Sequence, residues 1–237
     1  MEALRVGVLG PLEVRQGDHR VHIASVRQQA LVALLALDAG QVVSVDRLIE
    51  GLWGDRVPAD AVNALRHHVS RLRKTIGPAL VTRGSGYLLT VQQKDIDALQ
   101  FTRLAGEARA ALHQGRRNQA AAALRTALAL WRGPPLEEFL DRDWARQAAA
   151  RLGELYLAAV EDRIDIDLSM GLHAEVVEQL RALVGEHRFR ERLWGQLMLA
   201  LYRCGRQAEA LAVFAEARQV LAEELGLDPG PELAGLA

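Results

Sequence analysis

A single cysteine in 237 residues rules out any internal disulfide. Its setting, LALYRCG around Cys204, places it among apolar helix positions, where a small buried hydrophobe is expected rather than a reactive thiol. Long hydrophobic runs are missing too. Nowhere do 18 apolar residues follow one another, and the opening MEALRVGVLG has neither the basic start nor the apolar core of a signal peptide. A cytoplasmic chain with no membrane span is the expectation. The sequence also lacks a Gly-x-Ser-x-Gly elbow, a Walker sequence and a Rossmann fingerprint, so neither an enzyme nor a bound cofactor is expected.

The most informative absence is local. Between Asp60 and Asp95 there is no acidic residue, while Arg66, Arg71, Arg73, Lys74, Arg83 and Lys94 all fall in that span. The near-neutral total of −1 hides this asymmetry. Twelve Lys and Arg stand against eight Asp and Glu before Asp95 (+4), and seventeen against twenty-two from it onward (−5). Such a split points to a nucleic-acid-facing module joined to a part that is not one.

What is present is an ordinary half-hydrophobic chain, long enough to bury one large core or two smaller ones. It divides near QQKDID, giving a mixed region, 1–94, and an all-helical region, 95–237. In the first, LRVGVLG and LEVRQGDHRVHI alternate apolar and polar residues around turn signals at Gly10-Pro11 and Gly17-Asp18, which predicts short antiparallel strands. Ser25 then caps a helix that Gly40 stops, and Ser44 starts a second, VDRLIEGLWG, that Gly54 ends. After the loop DRVPAD comes NALRHHVSRLRKTIG. At helical spacing its Leu65, Val69, Leu72 and Ile76 make one apolar stripe. The opposite side carries Asn63, His67, Ser70, Arg71 and Lys74, with Arg66 and Arg73 on one flank and His68 on the other. LVTRGSGYLLTV follows as a hairpin, with Gly84 and Gly86 permitting a tight turn and Arg83 and Ser85 near its tip. Helix, helix and hairpin make a winged helix-turn-helix, whose second helix enters the major groove while the wing reaches backbone or minor groove. Adjacent His67 and His68 diverge on a helix and form no metal site, and the Gly-Ser-Gly lacks the residues of a phosphate loop.

The stretch VSVDRLIEGLWGDRVPADAVNALRHHVSRLRK with TRGSGY closely resembles the DNA-binding domain of OmpR-type regulators. With short strands ahead of it and no receiver domain, it resembles more narrowly the Streptomyces antibiotic regulatory protein family. The likeness extends through the rest of the chain. LWRGPPLEEF, the DW after it, RERLWGQLMLALYRCGRQAEALAVF and EELGLDPGPEL resemble the bacterial transcriptional activation domain that follows the winged helix there. The resemblance implies a transcription activator acting at the nucleoid, with promoter DNA in tandem direct repeats, a second protomer on DNA and RNA polymerase holoenzyme as partners, and an antibiotic gene cluster under its control. Arg71 falls where such helices place a base-reading arginine, able to bond guanine O6 and N7 together. His67, Asn63 and Ser70 share its face, Arg66, His68, Arg73 and Lys74 sit where phosphate contacts are expected, and Arg83 matches the wing arginine. His67 departs from the smaller residue common in related helices.

Beyond Lys94, Asp97 with Gln100 reads as a capping box. Gly171 and Gly205 are 34 residues apart, the tetratricopeptide period. Trp194, Leu197, Gly205, Ala210, Phe214 and Ala217 fall at that pattern's positions, and Gly115, Ala120, Leu124 and Ala127 echo it. Three degenerate repeats are predicted, with LWRGPPLEEFLDRDWARQ inserted between the first and second. Glu161 and Asp165 in EDRIDID share a helix face, but the paired Glu-x-x-His motifs of a di-metal bundle are missing. The competing reading is a helical-repeat interaction module carrying a vestigial winged helix, or a regulatory piece of a longer regulator, since GPELAGLA reads as a helix that continues. A vestigial domain has no electrostatic reason to keep carboxylates out of 34 residues.

Overall fold

Alternation of buried Leu4 and Val6 with exposed Arg5 builds β1 (Leu4–Gly7). It pairs antiparallel with β2 (Glu13–Gln16), which pairs with β3 (His19–Arg20) across a turn where Gly17 takes a φ of 58°. The computed structural model describes residues 3–236. Next, α1 (Val26–Leu37) carries an unbroken buried run from Ala30 to Ala36, so it is central rather than amphipathic. Ser25 is its N-cap, though its hydroxyl makes no capping bond. Ser44 does cap α2 (Val45–Trp53), accepting from the Arg47 N–H at 3.3 Å. α2 crosses α1 closely at Gly51, where a Cβ would lie 2.6 Å from Leu34 Cδ1. α3 (Ala61–Ile76) buries Ala61, Leu65, Val69, Leu72 and Ile76, the predicted stripe lengthened by one turn.

The wing is larger than the hairpin read from sequence. β4 (Val43–Ser44) joins β5 (Leu80–Arg83) and β6 (Gly86–Leu89) in a sheet ordered β4-β6-β5. Of the two hairpin glycines, Gly84 has the left-handed φ, 53°, of a turn residue and Gly86 does not. Gly86 is needed for a different reason: it pairs with Ser44, and a Cβ there would lie 2.2 Å from the Val43 carbonyl oxygen.

α4 (Asp97–His113) and α5 (Arg117–Leu128) form the first helix pair, joined through Gly115 at φ 70°. The capping box is not formed. Ile96 is the N-cap, and Asp97 instead turns its carboxylate to the N–H groups of Val8 and Leu9, at 2.8 and 3.0 Å, as well as to Ala98. Two orphan donors just past β1 are stronger claimants than a helix terminus that water can satisfy. The insertion after α5 lies on the same sheet. Arg132 N–H donates to the Leu9 carbonyl and Leu136 N–H to the Val8 carbonyl, while the Arg132 guanidinium pairs with Asp97 and Glu13. Leu136 holds a φ of 57°, rare for a residue with a Cβ, and is 1% exposed.

The chain divides after Tyr156 into two compact units, the boundary falling within α6 (Asp143–Ser169). The second unit continues with α7 (His173–Glu186), α8 (Glu191–Arg203), α9 (Gln207–Leu225) and a one-turn α10 (Pro231–Ala234). Gly171 and Gly205 take φ values of 85° and 76° between successive helices, the role Gly115 has in the first pair. Trp194, Leu197, Ala210 and Ala217 are buried as their pattern positions require. Cys204 differs from expectation: it is half-buried, at the C-cap of α8. The EDRIDID carboxylates are held by arginines. Glu161, 2% exposed, takes Arg190 at 2.7 and 3.2 Å, and Arg192 bonds Asp162 and Asp165 at 2.8 and 2.5 Å. Those bonds, opposing the effect of burial, hold the Arg192 guanidinium above its ordinary pKa. Among the described residues no helix is long and apolar enough to cross a membrane.

Candidate nucleic-acid interface

With its stripe buried, α3 turns Asn63, Arg66, His67, Ser70, Arg71 and Lys74 outward, all exposed. Among the described residues, the guanidinium of Arg71 and the ammonium of Lys74 have no hydrogen-bonded or ion-paired partner. The other polar groups are already committed to different degrees. Asp60, the N-cap, accepts from the backbone of Asn63 at 3.3 Å and from its side-chain amide at 2.6 Å, and Asn63 in turn accepts from Arg66 at 3.3 Å. This ladder stiffens the start of the helix. Its carboxylate also suits the positive end of the helix dipole, so it costs the basic face little.

Arg73 works inward. Its Nε donates to the Leu80 carbonyl at 2.8 Å and its Nη2 to Thr82 Oγ1 at 2.6 Å, while the guanidinium stands 5.9 Å from the Tyr87 ring centre. It therefore ties the wing to α3 and fixes where Arg83 and Ser85, exposed at the hairpin tip, stand relative to the helix face. His68 also departs from a purely outward role. Its ring lies 5.9 Å from that of Trp53, and Nδ1 is buried. Burial is the main cause that lowers its pKa, and the nearby charges of Arg27, His67 and Arg71 lower it further.

Sequence reasoning missed Arg27. Exposed on the first turn of α1, it lies near enough to act on His68, so the basic surface extends beyond α3. No periodicity marks such a residue; only the crossing of α1 and α3 brings it there. The same holds for Trp53, which reads as a helix-terminal aromatic until the tertiary structure sets it on α3.

Two family models match the chain. Residues 19–93 match the transcriptional regulatory protein, C-terminal domain, and residues 96–237 the bacterial transcriptional activator domain. The regulatory protein AfsR of Streptomyces griseus is 42% identical over 99% of this chain, which spans only 24% of that protein. The regulatory protein DnrI of Streptomyces peucetius is 36% identical over 98% of the chain and 90% of its own length. The structure of Mycobacterium tuberculosis EmbR, solved with a low affinity phosphopeptide, superposes with a TM-score of 0.95 at 32% identity, covering 100% of this chain and 64% of that one. An OmpR-type winged helix followed by a bacterial transcriptional activator domain, with relatives of this kind along its whole length, makes the chain a member of the Streptomyces antibiotic regulatory protein family of transcriptional regulators.

Proposed function

We propose that the chain is a sequence-specific transcriptional activator that works at the nucleoid on tandem direct repeats in promoters. The observation that carries this reading is the outward face of α3. The Arg71 guanidinium and Lys74 ammonium stand unengaged on a helix whose other side is sealed into the core, and no acidic residue occurs from position 61 to 94. Arg71 reads a base, with His67 and Ser70 beside it. Lys74, Arg66 and Arg27 hold phosphates and set register. Asn63 and Arg73 shape the reading surface, and the wing tip brings Arg83 and Ser85 to the neighbouring backbone. His68 supports the helix from the protein side. The helical repeats touch a second protomer head to tail and recruit RNA polymerase holoenzyme, and an antibiotic gene cluster is the natural target given the family.

Selection of binding sites from random duplex DNA, followed by footprinting, tests this. Recovered sites should contain a repeat spaced by about one helical turn, roughly 10 to 11 base pairs. Inserting half a turn between the repeats should abolish cooperative binding. Failure to enrich any sequence would favour the helical-repeat interaction module instead.

A further inference from the structure

The last turn of α2 is held from outside the winged helix. The final carbonyls of any helix lack intrahelical donors and carry the negative end of its dipole. In α2 the Glu50 carbonyl is taken by the Gly54 N–H. The next two are taken by residues that lie some ninety positions later. Arg142 Nη1 donates to the carbonyls of Gly51 and Leu52, each at 2.8 Å, and Trp144 Nε1 donates to the Gly51 carbonyl at 3.0 Å. Both donors are themselves fixed. Arg142 is 21% exposed along its side chain, and the Trp144 ring lies 5.8 Å from that of Phe139, which is wholly buried. The charge of Arg142 is also suited to its place, because its only described ion pair is a long one, 3.9 Å, to the exposed Asp141.

Beyond this turn the chain leads into the reading helix. Trp53, next to the clamped carbonyls, sets its ring against His68. Gly54 then reverses the chain into the loop that delivers Asp60, the cap of α3. A continuous path of contacts thus runs from Arg142 and Trp144 through the end of α2 and Trp53 to His68, in the middle of α3. Gly51 stands at the crossing, where a Cβ would lie 2.6 Å from Leu34 Cδ1, so α2 packs close against α1 at the clamped turn.

We propose that Arg142 and Trp144 are positioning residues for DNA reading: by fixing the end of α2 they set the pose of the α2–α3 turn and hence of α3 in the groove. This rests on the function proposed above. The DNA-reading device accordingly includes part of the activator domain and is not confined to residues before Asp95. A partner or ligand that disturbs the segment 136–144 would act on sequence discrimination without touching DNA.

The full chain is the material for the test, with Arg142→Ala, Arg142→Lys and Trp144→Phe. Two readouts are needed: the ratio of Kd on a scrambled duplex to Kd on the selected site, and deuterium exchange of the amides from 54 to 62. Trp144→Phe keeps an aromatic ring beside Phe139 and removes the N–H together with one ring of the indole; it is the milder change and keeps the test decisive where Arg142→Ala does not fold. The expected result is a specificity ratio about three- to thirty-fold lower in Arg142→Ala, the range of coupling through such paths, and faster exchange at 54–62. Trp144→Phe should show a smaller loss, and Arg142→Lys should recover part of it by keeping a cation at the helix end. Non-specific Kd should not move. Wild-type ratios and exchange in both Arg142→Ala and Trp144→Phe would overturn the proposal, as would parallel weakening on both duplexes. If the wild type itself discriminates between no duplexes, the proposed function fails, while unchanged or faster exchange still decides whether the clamp sets the turn.

Discussion

Replacing Arg71 with Ala isolates base reading. The structure gives the side chain no partner to lose, places it on the face opposite the buried stripe of α3, and leaves it exposed. Truncation should therefore change folding stability by no more than about 0.5 kcal/mol, and Ala, the better helix former, offsets part of that. Binding is a different matter. A bidentate guanidinium on guanine contributes about 1–3 kcal/mol of discrimination, or roughly 5- to 150-fold in Kd. The neighbours of Arg71 cannot take over. Lys74 lies almost a full turn further along and presents a point charge, not a planar fork, and His67 a full turn earlier carries a short ring. The loss should appear at one base pair, a G·C pair, with much less weakening on unrelated DNA. The assay is a fluorescence-anisotropy titration of wild type and variant against the selected site and each of its single-base changes, at fixed salt. Equal losses on every duplex would refute base reading and leave Arg71 a phosphate contact; no loss on any would remove it from the interface.

Lys74→Ala should reduce the slope of log Kd against log salt by about one while leaving sequence preference intact; an unchanged slope takes Lys74 out of the phosphate set. Arg73→Ala should instead loosen the wing, losing the bonds to Leu80 and Thr82 at a cost of about 1–2 kcal/mol, visible as a lower unfolding midpoint in urea. In the second unit, Arg190→Ala leaves the Glu161 carboxylate, 2% exposed, with only the 3.4 Å contact to Arg192 among the described residues and should cost about 3–5 kcal/mol, whereas the uncharged pair Arg190→Met with Glu161→Leu should recover most of it; chemical unfolding of both variants distinguishes a buried charge problem from lost packing. His68, held below the ordinary imidazole value near 6.5 by burial first and cations second, binds fewer protons folded than unfolded. Its contribution to stability is complete above about pH 6.5 and is lost as pH falls through the lowered folded value, so His68→Phe should flatten the pH dependence of unfolding in that window, and an unchanged dependence would rule the residue out.

How much of the fold and the interface was legible in the sequence depended on the range of the interaction. The outward and inward faces of α3 were readable because helical periodicity is local, and so were the three turn glycines of the repeats, since a left-handed φ leaves its mark on one residue. Charge depletion around α3 was also a property of the chain itself. Partners chosen across ninety residues left no such trace. Asp97 reads as a helix cap until the donors beyond β1 arrive beside it, Gly86 as a turn residue until β4 is laid against it, and Arg73 as a free cation until the wing folds back. Composition divides the chain at 94, and the family models meet between 93 and 96, but close packing continues to Tyr156. The reason is physical: hydrophobic patterning determines which face of an element is buried, while the element it is buried against, and which polar groups then have to be satisfied, is decided only when the tertiary structure closes.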